Sequence, residues 1–203
     1  MVDERIEKAN RRRGRLRVVD GTTPSDALVV DALDNPEALE ELCDHYAPRI
    51  HRFILKRVGN VHDAEDLTSI VFEKVLVNLD SYDSTRASFS TWIYRITLNC
   101  ITDHYRRRGR RKETSLEEHV AGAVPVGDCG LEVLERQRVL LDLMDRLPPK
   151  YQQALALRYF AGMRVSEVAE TLGITETAAS KRVLRGLDEL RGIASGSLLD
   201  EYL

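Results

Sequence analysis

The chain has 203 residues, of which 43% are apolar and 31% are charged, and its formal net charge is −3. This length suits one ordinary domain or two small ones, and the small negative charge argues against general avidity for nucleic acid. The N-terminus is polar and rich in arginine, and no apolar stretch approaches the length of a membrane span, so we expect neither a secretory signal nor membrane insertion.

The first predicted domain is helical and spans residues 25–112, after a flexible basic arm at residues 1–24. Apolar residues recur at helical spacing in a short helix and then in a longer one that ends at Gly59. A third helix is predicted to begin near Asp63, and Ser90 is the predicted N-cap of a fourth. Because nothing here alternates with the period of a strand, the domain is predicted to be all-helical.

The third and fourth predicted helices carry different chemistry. Asp63, Glu65 and Asp66 are predicted to lie in the first turn of the third helix, where negative charge meets the positive end of the helix dipole. The fourth helix carries Trp92 and Asn99 and ends in an arginine run. Aromatic rings beside arginines suit single-stranded nucleic acid, since bases stack on rings and guanidinium groups contact phosphates. The alternative for Trp92 is a role mainly in packing.

A predicted flexible linker and a second helical domain complete the chain. Residues 113–130 are acidic and contain glycines and a proline that break helices. Helical periodicity resumes at Leu131, which predicts a domain over residues 131–195 and a tail at residues 196–203.

The second domain contains a predicted helix-turn-helix. Val165–Leu172 is a short amphipathic segment, Gly173 suits a left-handed turn, and Thr175 can cap the next helix. A recognition helix of this kind lies in the major groove, where its basic side chains contact base edges and phosphates. The residues predicted to face outward are Thr177, Ser180, Lys181, Arg182 and Arg185. The alternative is a plain pair of helices with solvated charges.

These segments resemble the bacterial RNA polymerase sigma factors of the extracytoplasmic-function (ECF) group, within the sigma-70 family. DAEDL-x3-VF-x-KV is similar to the family's core-polymerase-binding helix, and SFSTWIYRI-x2-N is similar to its −10 segment. LPPKYQQALALRYFAGMRVSEVAETLGIT is similar to the lead-in to its −35-contacting helix-turn-helix. The resemblance covers residues 25–112 and 134–191, and it implies two small all-α domains joined by the acidic linker.

Together with the patterns above, the resemblance implies three sets of contact residues. The core-polymerase set is Asp63, Glu65, Asp66, Leu67, Ile70 and Phe72. The −10 DNA set is Tyr82, Arg86, Ser88, Trp92, Arg95, Asn99, Arg106 and Arg107. The −35 set is the five outward residues of the recognition helix. The implied partners are core RNA polymerase, through its clamp and flap, promoter DNA and an anti-sigma factor.

The same residues bear on two other classes of protein, an operator-binding regulator and an enzyme. An operator-binding helix-turn-helix regulator would act without core polymerase, but it would need a dimer surface, and the sequence shows no heptad seam. An enzyme would need a catalytic constellation. The five histidines and three cysteines show no metal-ligand spacing, and no Ser-His-Asp set or glycine-rich phosphate loop is present. We therefore expect a cytoplasmic, non-enzymatic protein with no cofactor and no metal.

Overall fold

A computed structural model describes residues 26–112 and 131–200, so the basic arm, the linker and the last three residues lie outside it. Every regular element in the described residues is helical, which confirms the predicted fold class. In chain order the helices are α1 (Asp26–Asp31), α2 (Pro36–Val58), α3 (Val61–Asn78), α4 (Phe89–Lys112), α5 (Leu131–Asp145), α6 (Pro149–Leu155), α7 (Val165–Leu172) and α8 (Glu176–Asp200).

Two helix starts differ from the sequence prediction. Helix α3 begins at Val61 because the side chain of Asn60 accepts a hydrogen bond from the backbone N–H of Asp63, at 3.0 Å. Glu65 and Asp66 therefore lie beyond its first turn. Helix α4 begins at Phe89, and its cap is Ser88 rather than Ser90, since the Ser88 hydroxyl accepts from the N–H of Thr91 at 3.3 Å.

The described residues divide into two compact units, and the first combines residues 26–54 with residues 65–107. Its core is aliphatic and aromatic, and its most deeply buried side chains include Leu42, Ile50, Phe53, Ile54, Val71, Val75 and Ile93. The ring of Phe53 meets that of Tyr94 edge to face, with centroids 5.2 Å apart. This core fixes the positions of α3 and α4, and the first candidate interface lies between these two helices.

The second unit contains residues 131–200 together with residues 55–64 and 108–112. The guanidinium of Arg57 is buried there, lies 2.8 Å from the carboxylate of Asp145 and donates to the side-chain oxygen of Gln152. Gly186 lets α6 and α8 approach closely, because a Cβ at this position would lie 3.2 Å from atoms of Leu155 and Tyr151.

A π-helical turn at Ala156–Phe160 follows directly after the last residue of α6. The chain then leaves the helix near Gly162, which has φ +73°. Helix α8 runs through residues 196–200, which the sequence assigned to a tail.

Candidate nucleic-acid and partner interfaces

A cavity of about 270 Å³ opens on the first unit between α3 and α4. Trp92 and Ile96 supply its apolar lining, and Lys74, Asn78, Ser81 and Asn99 supply polar groups. Its volume is slightly below the range for drug-sized ligands, which suits one planar aromatic group. Trp92 and Asn99 were predicted from the sequence. The three residues from α3 and from the 3-10 turn that follows it (Leu79–Ser81) were not.

Trp92 packs against an aromatic cluster formed by Tyr82 and Phe89. The ring of Tyr82 lies 5.5 Å from that of Trp92 and 5.4 Å from that of Phe89, centroid to centroid. The Tyr82 hydroxyl donates a hydrogen bond to the backbone oxygen of Ala87 at 3.1 Å. The indole of Trp92 is therefore partly buried and held in place, while its exposed part faces the cavity. Packing and ligand contact are compatible roles for this residue.

The loop between the 3-10 turn and α4 is ordered by Asp83. Its carboxylate accepts hydrogen bonds from the hydroxyl and the backbone N–H of Thr85, at 2.7 and 2.9 Å. These bonds, with the nearby charge of Arg86, lower the pKa of Asp83. The guanidinium of Arg86 lies 3.3 Å from the same carboxylate and is highly exposed. Ser88, the other predicted loop residue, is exposed and caps α4.

Three predicted arginines are exposed on α4, one beside the cavity and two further along the helix. Arg95 lies one turn before Asn99, and Arg106 and Arg107 follow two turns after it. The guanidinium of Arg106 lies 3.3 Å from the carboxylate of Asp103. The helix therefore combines a cavity lined by Trp92 with basic groups along its length, an arrangement that suits unstacked bases and their phosphates.

The predicted partner-binding residues of α3 do not all lie on its surface. Leu67 is only 4% exposed and packs in the core, so it supports the helix instead of contacting a partner directly. Asp63 forms an ion pair with Arg108 at 2.9 Å within the second unit. Glu65 and Asp66 are exposed, and Ile70 and Phe72 are partly exposed.

This exposed face continues along α3 beyond the residues that the sequence predicted. Asp66, Ile70, Glu73 and Val77 recur at i, i+4, i+7 and i+11, which places them on one stripe of α3. Val77 is 61% exposed. The face thus combines carboxylates with apolar side chains, a pattern that suits a basic partner surface with apolar contacts.

The helix-turn-helix in the second unit has the predicted geometry. Gly173 ends α7 in the left-handed conformation, with φ +65°, and the N–H of Ile174 donates to the backbone oxygen of Ala169 at 3.0 Å. The hydroxyl of Thr175 accepts from the N–H of Ala178 at 3.2 Å and caps α8. Ala179 and Val183 are buried and fix the face of α8 that points inward.

The five predicted DNA-contacting residues of α8 lie on or beside its outward face. Thr177, Lys181 and Arg185 are exposed, whereas Ser180 and Arg182 are partly buried at its flanks. All five fall in the first three turns, the part of a recognition helix that enters the major groove.

No described helix is long and apolar enough to cross a membrane. In residues 26–112 and 131–200, no group of three or more histidine, cysteine or acidic side chains is arranged to bind a metal ion.

Two family models match the chain, and both concern the same family. Sigma-70 region 2 matches residues 42–111, and sigma-70 region 4 matches residues 137–190. Together these matches cover more than half of the chain. The chain belongs to the sigma-70 family. It is an RNA polymerase sigma factor, and α3 and all but the last residue of α4 lie within its region 2, while α7 and most of α8 lie within its region 4.

Similar proteins agree with this membership. The ECF RNA polymerase sigma factor SigW of Bacillus subtilis is 31% identical over 166 residues, which cover 76% of this chain and 88% of SigW. The ECF RNA polymerase sigma factor SigE of Mycolicibacterium smegmatis is 34% identical over 175 residues, which cover 83% of this chain and 67% of SigE. Within the sigma-70 family, the chain therefore belongs to the ECF group.

Two solved structures share the fold at lower identity. CnrH, in complex with the cytosolic domain of CnrY, matches with a TM-score of 0.62 and 22% identity over 84% of this chain and 96% of that one. RpoE of Bartonella quintana, in complex with the anti-sigma factor NepR, matches with a TM-score of 0.61 and 18% identity over 78% and 98%.

Proposed function

We propose that this sigma factor divides promoter recognition among three of its surfaces. The exposed stripe of α3 binds the clamp of core polymerase, and the cavity between α3 and α4 holds an unpaired base of the −10 element. The outward face of α8 contacts the −35 element, with region 4 also approaching the flap. The observation that carries the proposal is the cavity, because a lining that combines the indole of Trp92 with the amides of Asn78 and Asn99 suits a single unstacked base.

The three proposed roles are all binding roles, so none of them needs a catalytic group. The described surfaces supply stacking, hydrogen bonding and charge, which are binding interactions. We therefore propose that the chain is not an enzyme and that it acts in the cytoplasm, where core polymerase transcribes. An operator-binding regulator that acts without core polymerase would need neither region 2 nor the exposed stripe of α3.

An anti-sigma factor is the remaining proposed partner. The two solved sigma factors that share this fold are bound to the cytosolic domain of CnrY and to the anti-sigma factor NepR. A protein that covers the α3 stripe or the face of α8 would block the surfaces proposed here, so we expect this chain to be held inactive in that way.

The test of the proposed function starts with core polymerase. Ile70→Asp should weaken association of the chain with core polymerase about tenfold, because it places a charge in an interface that has apolar contacts. The matched control is Val30→Asp, which makes a similar change at an exposed apolar residue of α1. A co-purification titration measures both variants, and wild-type chain that does not bind core polymerase would overturn the proposal.

A further inference from the structure

Leu184 is a large apolar residue on the outward face of the recognition helix. It is 59% exposed, the highest value among the large apolar side chains described in the second unit. A single exposed leucine is ordinary on a protein surface, so exposure alone assigns nothing to it. Its position on the helix is the informative observation.

Leu184 lies among the residues proposed to contact the −35 element. Thr177, Lys181 and Leu184 are spaced i, i+4 and i+7, so they form one stripe of α8, with Arg185 beside it. The opposite side is fixed by Ala179 and Val183, which are buried, and by Gly186, which packs against α6. A duplex that accepts hydrogen bonds from Lys181 and Arg185 therefore meets the leucine side chain as well.

The chemistry of the major groove restricts what this side chain can contact favourably. Guanine, adenine and cytosine present hydrogen-bonding groups there, whereas thymine also presents its C5-methyl group. A leucine can neither donate nor accept a hydrogen bond, so it would remove water from a polar base edge without replacing the lost bonds. Against a methyl group it buries apolar surface instead.

We infer that Leu184 contacts the 5-methyl group of a thymine in the −35 element and makes this sigma factor prefer thymine at that position. The inference rests on the proposed function, because it takes α8 as the −35-contacting helix. Burial of one methyl group stabilises a complex by roughly 0.8 kcal/mol, which corresponds to about fourfold in affinity.

The experiment uses the full chain assembled with core polymerase. A −35 sequence is first selected from a pool randomised at that element. Each thymine is then replaced singly by deoxyuridine, which removes the methyl group and keeps every hydrogen-bonding group. Competition binding at constant salt then compares each deoxyuridine promoter with the promoter that keeps thymine at that position. For the wild-type chain, one substitution should weaken binding about fourfold, and Leu184→Ala should bind the thymine and deoxyuridine promoters equally well.

The matched control is Leu140→Ala, the same change at an exposed leucine of α5, outside the helix-turn-helix. This variant should retain the wild-type response to deoxyuridine. Two results would overturn the inference: no thymine position responds in the wild type, or Leu184→Ala still distinguishes the two promoters. Loss of core-polymerase binding by Leu184→Ala would also overturn it, since the side chain would then contact the polymerase. A wild-type chain that never joins core polymerase would instead overturn the proposed function, and this inference with it.

Discussion

Asn99 is a polar residue of the cavity lining, and the sequence predicted that it contacts −10 DNA. We expect its amide to bind a base when the promoter opens. Its amide can form two hydrogen bonds with a base edge, so Asn99→Ala should cost about 1–3 kcal/mol of −10 base discrimination. Permanganate footprinting detects unpaired thymines and measures the fraction of open complexes. We expect fewer open complexes with little change in the binding of core polymerase to the sigma factor.

The control for this prediction lies on the same helix. Thr102 is exposed on α4, and its hydroxyl donates to the backbone oxygen of Leu98 at 2.8 Å, outside the cavity lining. Thr102→Ala should leave promoter opening unchanged. If Asn99→Ala opens promoters as well as the wild type and keeps its −10 preference, the cavity does not bind a base.

Cys43 should be unreactive in the folded protein despite being only partly buried. Burial, reinforced by the carboxylates of Asp44 and Glu40, raises the pKa of its thiol from 9.0 to about 12. Because the thiolate is the reactive form, the rate of iodoacetamide alkylation at Cys43 should stay low through pH 8 and rise only in strong alkali. Peptide mass spectrometry distinguishes Cys43 from the other two cysteines.

The unfolded chain provides the comparison for Cys43. In denaturant the same thiol should titrate near its ordinary pKa of 9.0 and react readily. Since the folded pKa is the higher one, the thiol's contribution to stability is complete below pH 9 and is lost as the pH rises towards 12. Rapid alkylation of the folded protein at pH 8 would contradict the predicted shift.

At the scale of elements, two glycines that face open space should respond oppositely to alanine. Gly173 has φ +65°, and a Cβ there would have no atom within 4 Å, so the cost of Gly173→Ala is the left-handed backbone alone. This cost is about 1–2 kcal/mol. Gly192 also has open space but lies inside α8, where alanine should be more stable than glycine by about 0.5–1 kcal/mol.

Chemical denaturation followed by circular dichroism measures both glycine variants. Gly173→Ala should lower the midpoint and Gly192→Ala should raise it. Equal effects of the two substitutions would mean that the turn between α7 and α8 tolerates a side chain, and the conformational argument for Gly173 would fail.

Helical periodicity predicted the helices, but it did not predict every helix start or every residue that lines the cavity. Apolar spacing predicts the buried residues of α3, which are Leu67, Val71 and Val75. The residue types themselves predict the turn at Gly173 and the cap at Thr175. The caps at Asn60 and Ser88 were displaced because several polar residues near each start could serve, and only the fold decides which one reaches the right N–H. The cavity residues Lys74 and Asn78 could not be found for a related reason, since their role depends on how α3 packs against α4.

At the scale of the whole molecule, the three surfaces require separate partners that act together. In the proposed function the cavity between α3 and α4 binds an unpaired base, which free duplex DNA does not supply. The face of α8 offers few phosphate contacts on its own, and duplex affinity depends on the number of phosphates neutralised. Recognition of a promoter by this chain should therefore depend on core polymerase, which brings both DNA elements to it at a fixed spacing.

The free chain should accordingly bind promoter duplex weakly, and its predicted acidic linker should contribute to that weakness. Glu117, Glu118 and Asp128 lie between two basic segments in the sequence, where they can compete with phosphates for the same arginines and lysines. Changing all three to Gln, Gln and Asn should tighten binding of the free chain to duplex at low salt. The gain should shrink as salt rises, because screening weakens contacts between exposed charges.

Fluorescence anisotropy at matched salt concentrations, with and without core polymerase, tests this dependence. Core polymerase should restore tight, sequence-specific binding to the wild-type chain and should reduce the difference between it and the linker variant. Glu37→Gln, a charge change of the same kind in the first turn of α2, is the control and should leave duplex binding unchanged. Tight and specific binding by the free wild-type chain would favour the operator-binding mode instead, since recognition would then need neither an opened strand nor the polymerase.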